Sequence, residues 1–222
     1  ENHYRHFSQG YYHLTILDDA RSAVPCFSAA LASAPPDGET PEELRNRYRK
    51  YLGYSLAKIG QHGEAIAVLR EAFALQPTLR GRNDMKTYRM LVNSLMGLAA
   101  EEDSLGNTAQ ATQLWEEVAT RSGEVAKQRA EAIWPHLLGR AQLLLGRYGP
   151  AAEAFRQVIA QEMDTGKRYE ACLDLVEALH RSGDAAGATE ALNLALKTYP
   201  AKQGEVADIR RALLRSRTGA DK

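Results

Sequence analysis

The sequence predicts an all-α chain of about five helix-turn-helix units followed by a closing helix. Three observations predict it. Apolar residues recur at spacings of three and four, the period of one helix face. Glycines recur between paired apolar stretches, where a helix end takes up the left-handed backbone that glycine accepts. Prolines close several units, since proline lacks an amide hydrogen and its ring clashes with the preceding turn. The stretch from Tyr51 to Pro77, YLGYSLAKIGQHGEAIAVLREAFALQP, shows all three. Leu52 and Leu56 line a first helix beside Gly53, Gly60 ends it, Ala65, Leu69 and Ala72 line a second, and Pro77 closes the unit.

The other units follow this plan with identifiable departures. In the first (4–37), Phe7, Gly10 and Leu14 precede Ala23, Phe27, Ala30 and Pro35. Asp18 stands where the turn glycine would be, and aspartate tolerates the left-handed region better than most residues. Tyr11 takes the place of Gly53, which predicts a looser helix crossing there. Pro25 is expected to bend the second helix or shift its start, and 34–40, APPDGET, reads as a loop. The second unit (41–79) opens with Pro41, Glu42 and Glu43 behind Thr40 as N-cap. A polar connection from Thr78 to Asn83 leads into the third (83–123), with Leu95, Leu98, Ala99, Gly106, Ala111, Trp115 and Val118. There Glu102 sits at an apolar place and Gly123 where the proline would be. The fourth (126–163) has Leu138, Gly139, Gly146, Ala151, Phe155 and Val158. Gln142 and Met163 depart from the plan, and Pro135 is expected to kink a helix that begins earlier. The fifth (167–200) has Leu175, Val176, Leu179, Gly183, Ala188, Leu192, Ala195 and Pro200. In 203–217, Val206, Ile209, Ala212 and Leu213 form an apolar stripe on an arginine-rich helix, placed to cover the face a last unit exposes. Because each unit packs mainly on its neighbours, 1–222 reads as a single repeat domain.

The leucine-small pair, the apolar residue three on, the alanine, the large apolar residue and the terminal proline resemble the tetratricopeptide repeat. The resemblance implies a right-handed α-α superhelix whose first helices line a concave groove. Measured between equivalent alanines, Ala23 to Ala65 is 42 residues, then 46 to Ala111, 40 to Ala151 and 37 to Ala188. Each period exceeds the family's usual length of about 34. Such lengthened repeats look like those of bacterial signalling regulators. The groove stripes implied by the resemblance are Arg5, Ser8 and Tyr12; Arg47, Lys50 and Tyr54; Asn93, Met96 and Ala100; Ile133, His136 and Arg140; and Glu170, Leu173 and Glu177. Their N-terminal part sets cations beside tyrosines, which suits carboxylates and apolar groups together, and their C-terminal part is acidic. A peptide is therefore expected with its acidic part near Lys50 and its basic part near Glu177. Chaperone-binding members hold a terminal carboxylate with a lysine and an asparagine one turn later. Ser8 and Tyr12 replace that pair in the first unit, and Tyr54 follows Lys50 in the second, so the clamp is absent in its family form.

Composition narrows the function classes. The 28 basic and 28 acidic residues cancel, so no global field draws nucleic acid or an anionic membrane. No apolar run approaches the roughly 20 residues needed to span a bilayer. Cys26 and Cys172, in the first and last units, are expected to stay reduced and buried, which favours the cytoplasm. No nucleophile-base pair, metal cluster or phosphate loop is evident. His3, His6 and His13 would share one side of a helix, as metal ligands do, but read as terminal solvated histidines. Glu101, Glu102 and Asp103 read as a solvated acidic face, and Arg80, Gly81 and Arg82 as a loop. The expected function is a non-catalytic scaffold without cofactor that binds a protein or peptide, with no direct nucleic-acid or membrane role. The alternative is a ligand- or peptide-sensing module of a larger bacterial signalling or transcriptional regulator.

Overall fold

A computed structural model describes residues 2–35, 42–74, 81–204, 206, 208 and 209, with the backbone alone at 81–83. Among the described residues ten α-helices and a short 3-10 turn are delimited, with helical backbone also at 203, 204, 206, 208 and 209: α1 (Asn2–Thr15), α2 (Ala20–Ala32), α3 (Glu42–Lys58), α4 (His62–Ala74), α5 (Gly81–Ser104), α6 (Thr108–Gln128), α7 (Ile133–Leu144), α8 (Tyr148–Gln161), α9 (Thr165–Arg181), α10 (Ala185–Thr198) and the turn Pro200–Lys202. No strand occurs among the described residues, so the all-α repeat expectation is met.

The helices come in pairs because a left-handed residue reverses the chain between them. It is Asp18 (φ 51°), Gly60 (82°), Gly106 (79°), Gly146 (72°) or Gly183 (85°). In the last four turns the following amide bonds a carbonyl five residues back: Gln61 to Leu56, Asn107 to Glu102, Arg147 to Gln142 and Asp184 to Leu179. That bond satisfies a carbonyl the helix end leaves open. In the first turn Asp19 reaches six residues back, to His13, so this turn holds one extra residue.

The extra residue corrects the expected register. Gly10, not Tyr11, is the counterpart of Gly53, since a Cβ on Gly10 would lie 2.9 Å from the Phe27 ring. A Cβ on Gly53 would collide with Leu69, and one on Gly139 would come within 2.7 Å of Phe155. The first crossing is therefore close rather than loose, and Tyr11 is exposed. Phe27, Leu69 and Phe155 are wholly buried under these glycines. Each such side chain contributes about 1.5 to 3 kcal/mol of burial.

The chain divides into two compact units, Glu1–Leu114 and Trp115–Lys222, with the boundary inside α6. In unit 1, α1 packs on α2, α2 on α3, and α3 on both α4 and α5. In unit 2, α7 packs on α8, α8 on α9 and α9 on α10, with α7 also touching α9. The unit 2 core joins Phe155, Tyr169, Cys172, Leu175, Leu192 and Val206, with Ile209 packed against it. Val206 and Ile209 thus meet the last helix pairs as the closing stripe anticipated, while Ala212 and Leu213 lie outside the described residues.

Other expectations need correction. α2 continues past Pro25, and its start is set by Asp19, whose carboxylate accepts from the Ser22 amide. Pro25 and Arg21 are both exposed, so water can reach the carbonyl that proline leaves unbonded. Pro135 falls in the first turn of α7, where its missing N–H is no loss, so no longer helix is kinked. Gly123 does not end α6, which runs on to Gln128. Gly81 and Arg82 open α5 rather than forming a loop. Cys26 is only half-buried, whereas Cys172 is buried, and burial pushes its thiol above the ordinary range. Thr40, Pro41, Pro77 and Arg80 lie outside the described residues.

Candidate interaction surface

In unit 1 the surface is built on α3. Its inner side is held by Leu52, Leu56 and the close approach of Gly53 to Leu69, which leaves Arg47 exposed on another side and Lys50 and Tyr54 half-buried. Lys50 Nζ lies 2.7 Å from Asp84 Oδ1 of α5, with both side chains largely covered, and 5.3 Å from the Phe73 ring centre. Its charge is thus matched within the chain. Lys86 of α5 sits 5.0 Å over the Tyr54 ring, and Arg47 is exposed.

The one-residue shift in α1 brings different residues beside α3 from those the sequence pattern points to. With Gly10 matched to Gly53, the counterparts of Arg47, Lys50 and Tyr54 are Tyr4, Phe7 and Tyr11. Phe7 and Tyr11 lie 5.3 and 5.6 Å from the Tyr51 ring, both edge-on. Phe7 also packs 5.0 Å from Tyr48 and 5.6 Å from Phe27. Burial raises the Tyr48 and Tyr51 hydroxyls above their ordinary range, with Tyr4 and Tyr11 respectively adding to it. Arg5 is exposed and Tyr12 stands against His13, so neither is drawn into this aromatic cluster by a ring contact or ion pair. Asn93 is exposed on α5.

Unit 2 repeats the α3 arrangement with other chemistry. His136 stands three residues before Gly139, as Lys50 does before Gly53. Its Nε2 lies 2.8 Å from Asp174 Oδ2 of α9, and its ring meets Phe155 edge-on at 6.1 Å. Arg140 and Glu170 are exposed, and Glu177 pairs with Arg181 at 2.7 Å along α9. Neither Asp84 nor Asp174 stands out in the sequence. An acid on the next pair's first helix is a signal only once the pairing of first helices is known.

The remaining chemical candidates resolve as structural groups. His3 is buried and its Nδ1 lies 2.9 Å from the Tyr48 hydroxyl, tying α1 to α3. The solvated reading of His3 is thereby overturned, because Tyr48 covers it. Among the described residues no three His, Cys, Asp or Glu side chains gather as a metal site. Glu102 accepts from the Asn107 side-chain amide at 2.7 Å and so braces its turn. No helix among the described residues is long and apolar enough to cross a membrane.

Comparisons with known proteins agree with this architecture. Residues 52–79 match the family model of the tetratricopeptide repeat. No curated protein matches the chain. Among solved structures it resembles TTC0263, a thermophilic tetratricopeptide repeat protein of Thermus thermophilus, at 18% identity and a TM-score of 0.54, covering 96% of this chain and 98% of that one. It also resembles residues 41 to the end of MamA from Desulfovibrio magneticus RS-1, at 15% identity and a TM-score of 0.65, covering 91% and 98%. At these identities the likeness is one of fold. Residues 52–79 thus match a tetratricopeptide repeat by sequence, and helix pairs of the same kind in both units give the chain the all-α fold of such repeats.

Proposed function

We propose that the chain is a non-catalytic scaffold that binds a protein or peptide through the outward faces of its first helices. The observation that carries this reading is the α3 face. Arg47 is exposed and Tyr54 half-buried, with Lys86 over its ring, on a helix held against α4 and α5, so the face is in place before any partner arrives. A surface ordered in advance avoids much of the entropy that a flexible receptor loses on binding. In unit 2, Arg140 and Glu170 offer a second charged face on α7 and α9. No step of this reading needs a nucleophile, a metal or a cofactor.

The test is affinity capture from a lysate of the source cells, with wild type beside two variants. One carries Arg47→Glu and Tyr54→Ala, the other Arg140→Glu and Glu170→Arg. Lys50 is left intact, since it holds Asp84 and its reversal would disturb α5. A protein retained by wild type and lost from either variant, with melting unchanged, supports the proposal. Retention of nothing, or of the same proteins by all three, overturns it.

A further inference from the structure

Two of the first helices present the same stripe to the helix pair before them. In α3 it is Tyr48, Tyr51, Leu52 and Ser55, spaced as one helix face, with Tyr51 half-buried and the others buried. α2 covers it: Tyr48 packs in a cluster with Ala30, and Leu52 in one with Phe27. In α9 the stripe is Ala171, Asp174, Leu175 and Ala178, with Asp174 half-buried and the others buried beside α8.

Matching Gly10 to Gly53 puts Arg5, Ser8, Gln9 and Tyr12 at these places on α1. All four are exposed, Tyr12 at 53%, and Ile16 one turn further on is 68% exposed. The Ile16 amide bonds the Tyr12 carbonyl at 3.0 Å, so the helical row runs on through Ile16. No described helix stands before α1, and its stripe is the open side of a stacking interface that is filled at α3 and α9. The last pair differs, since Val206, 2% exposed, and Ile209 already lie against the core of α9 and α10.

We infer that two copies of the chain pair through this stripe, α1 against α1, antiparallel about a two-fold axis between Ser8 and Gln9. In such a contact residue i meets j and j meets i. An axis at that point sets Arg5 against Tyr12 of the second copy, and Tyr12 against its Arg5, with Ser8 and Gln9 opposite each other between them. Helix α1 has no acidic residue, so the guanidinium finds its complement in the face of the ring. The stripe is thereby complementary to itself. Another helix pair of the same kind suits it poorly, because Arg5 and Gln9 stand where α3 has Tyr48 and Leu52. Head-to-tail stacking is closed off as well, since Val206 and Ile209 hold the place that a second α1 would need.

Sedimentation equilibrium of the purified full chain tests the pairing. The mass should rise with concentration from one chain to two and stop there. Tyr12→Arg sets like charges together at both contacts and should weaken the dimer about tenfold or more. Adding Arg5→Glu to Tyr12→Arg restores opposite charges across the axis and should recover most of the loss, whereas Arg140→Glu in unit 2 should change nothing. Circular dichroism and melting verify that each variant is folded, which these exposed positions allow. A chain that stays single at every concentration, assemblies that grow beyond two, a dimer indifferent to Tyr12→Arg, or a loss that Arg5→Glu does not repair would each overturn the pairing. None of these outcomes bears on the scaffold reading, which is tested at Arg47, Tyr54, Arg140 and Glu170.

Discussion

Lys50 in unit 1 and His136 in unit 2 occupy the same repeat position and perform the same mechanical task by different chemistry. Each touches an aromatic ring of the second helix in its own pair, Phe73 or Phe155, and each bonds an aspartate on the first helix of the next pair, Asp84 or Asp174. Three helices meet at one polar side chain in both places. The lysine does so with a fixed charge that requires its carboxylate partner once both are covered. The imidazole is a hydrogen-bond partner in either protonation state, so its bond to Asp174 does not depend on a full charge. The repeat position therefore specifies contact with two neighbours, and the residue type sets how costly loss of that contact is.

The largest expected effect lies under these polar contacts. Phe155→Ala should cost about 3 to 5 kcal/mol and Leu69→Ala about 2 to 5 kcal/mol in urea denaturation, because each empties a site that the facing glycine cannot refill. A loss below about 1 kcal/mol at Phe155, on the order of an exposed substitution, would mean that its ring is not the counterpart of Leu69.

At the polar residues the two contacts should separate. Lys50→Met leaves Asp84 covered without its cation and should cost about 1 to 3 kcal/mol, whereas His136→Gln keeps a donor for Asp174 and should cost less than about 1 kcal/mol. Adding Asp84→Asn to Lys50→Met should restore part of the loss, the sign of coupling expected for neighbours in direct contact. Equal costs at Lys50 and His136 would show that the two contacts are alike after all.

The turns differ between the first pair and the rest in a way that thermal melting can read. Gly60→Ala forces a Cβ into the left-handed region and should cost about 1 kcal/mol. Asp18→Gly relieves the same strain but removes the 2.5 Å bond to Lys58, so it should change stability by less than Gly60→Ala does. The smallest effect concerns acid. Hydrogen bonds from the Ser22 side chain and backbone hold the Asp19 carboxyl below its ordinary 3.8. A depressed folded value stabilises above the unfolded one, so this contribution is complete above pH 3.8 and is lost as pH falls through the lowered value. Asp19→Asn should flatten that acid limb and leave neutral pH nearly untouched; an unchanged acid limb would remove the carboxylate from the cap.

Much of the fold is legible in the sequence because local chemistry and global packing agree. The spacing of Ala65, Leu69 and Ala72, the glycine at 60 and the close approach at 53 each depend on residues a few positions apart. Asp18 is legible for the same reason, since a turn needs only its own backbone. The register of α1 is not, because one inserted turn residue moves Gly10 into the crossing and changes which side chains face α3. The proposed interaction surface follows suit: Arg47 and Tyr54 can be placed from the α3 pattern, while Phe7 and Tyr11 emerge only from contacts between helices.

The order of residues dictates that helices form, where most turn back and which face of each is apolar, since these follow from backbone preference and a period of three to four. Which charges remain open depends instead on how the helices pack. Lys50 and Arg47 are one turn apart on one helix and alike in charge, yet Asp84 of α5 takes up the first and no described residue takes up the second. Coulomb attraction acts through space and falls with distance, so the pairing of groups 34 residues apart is settled only when packing brings α3 and α5 together.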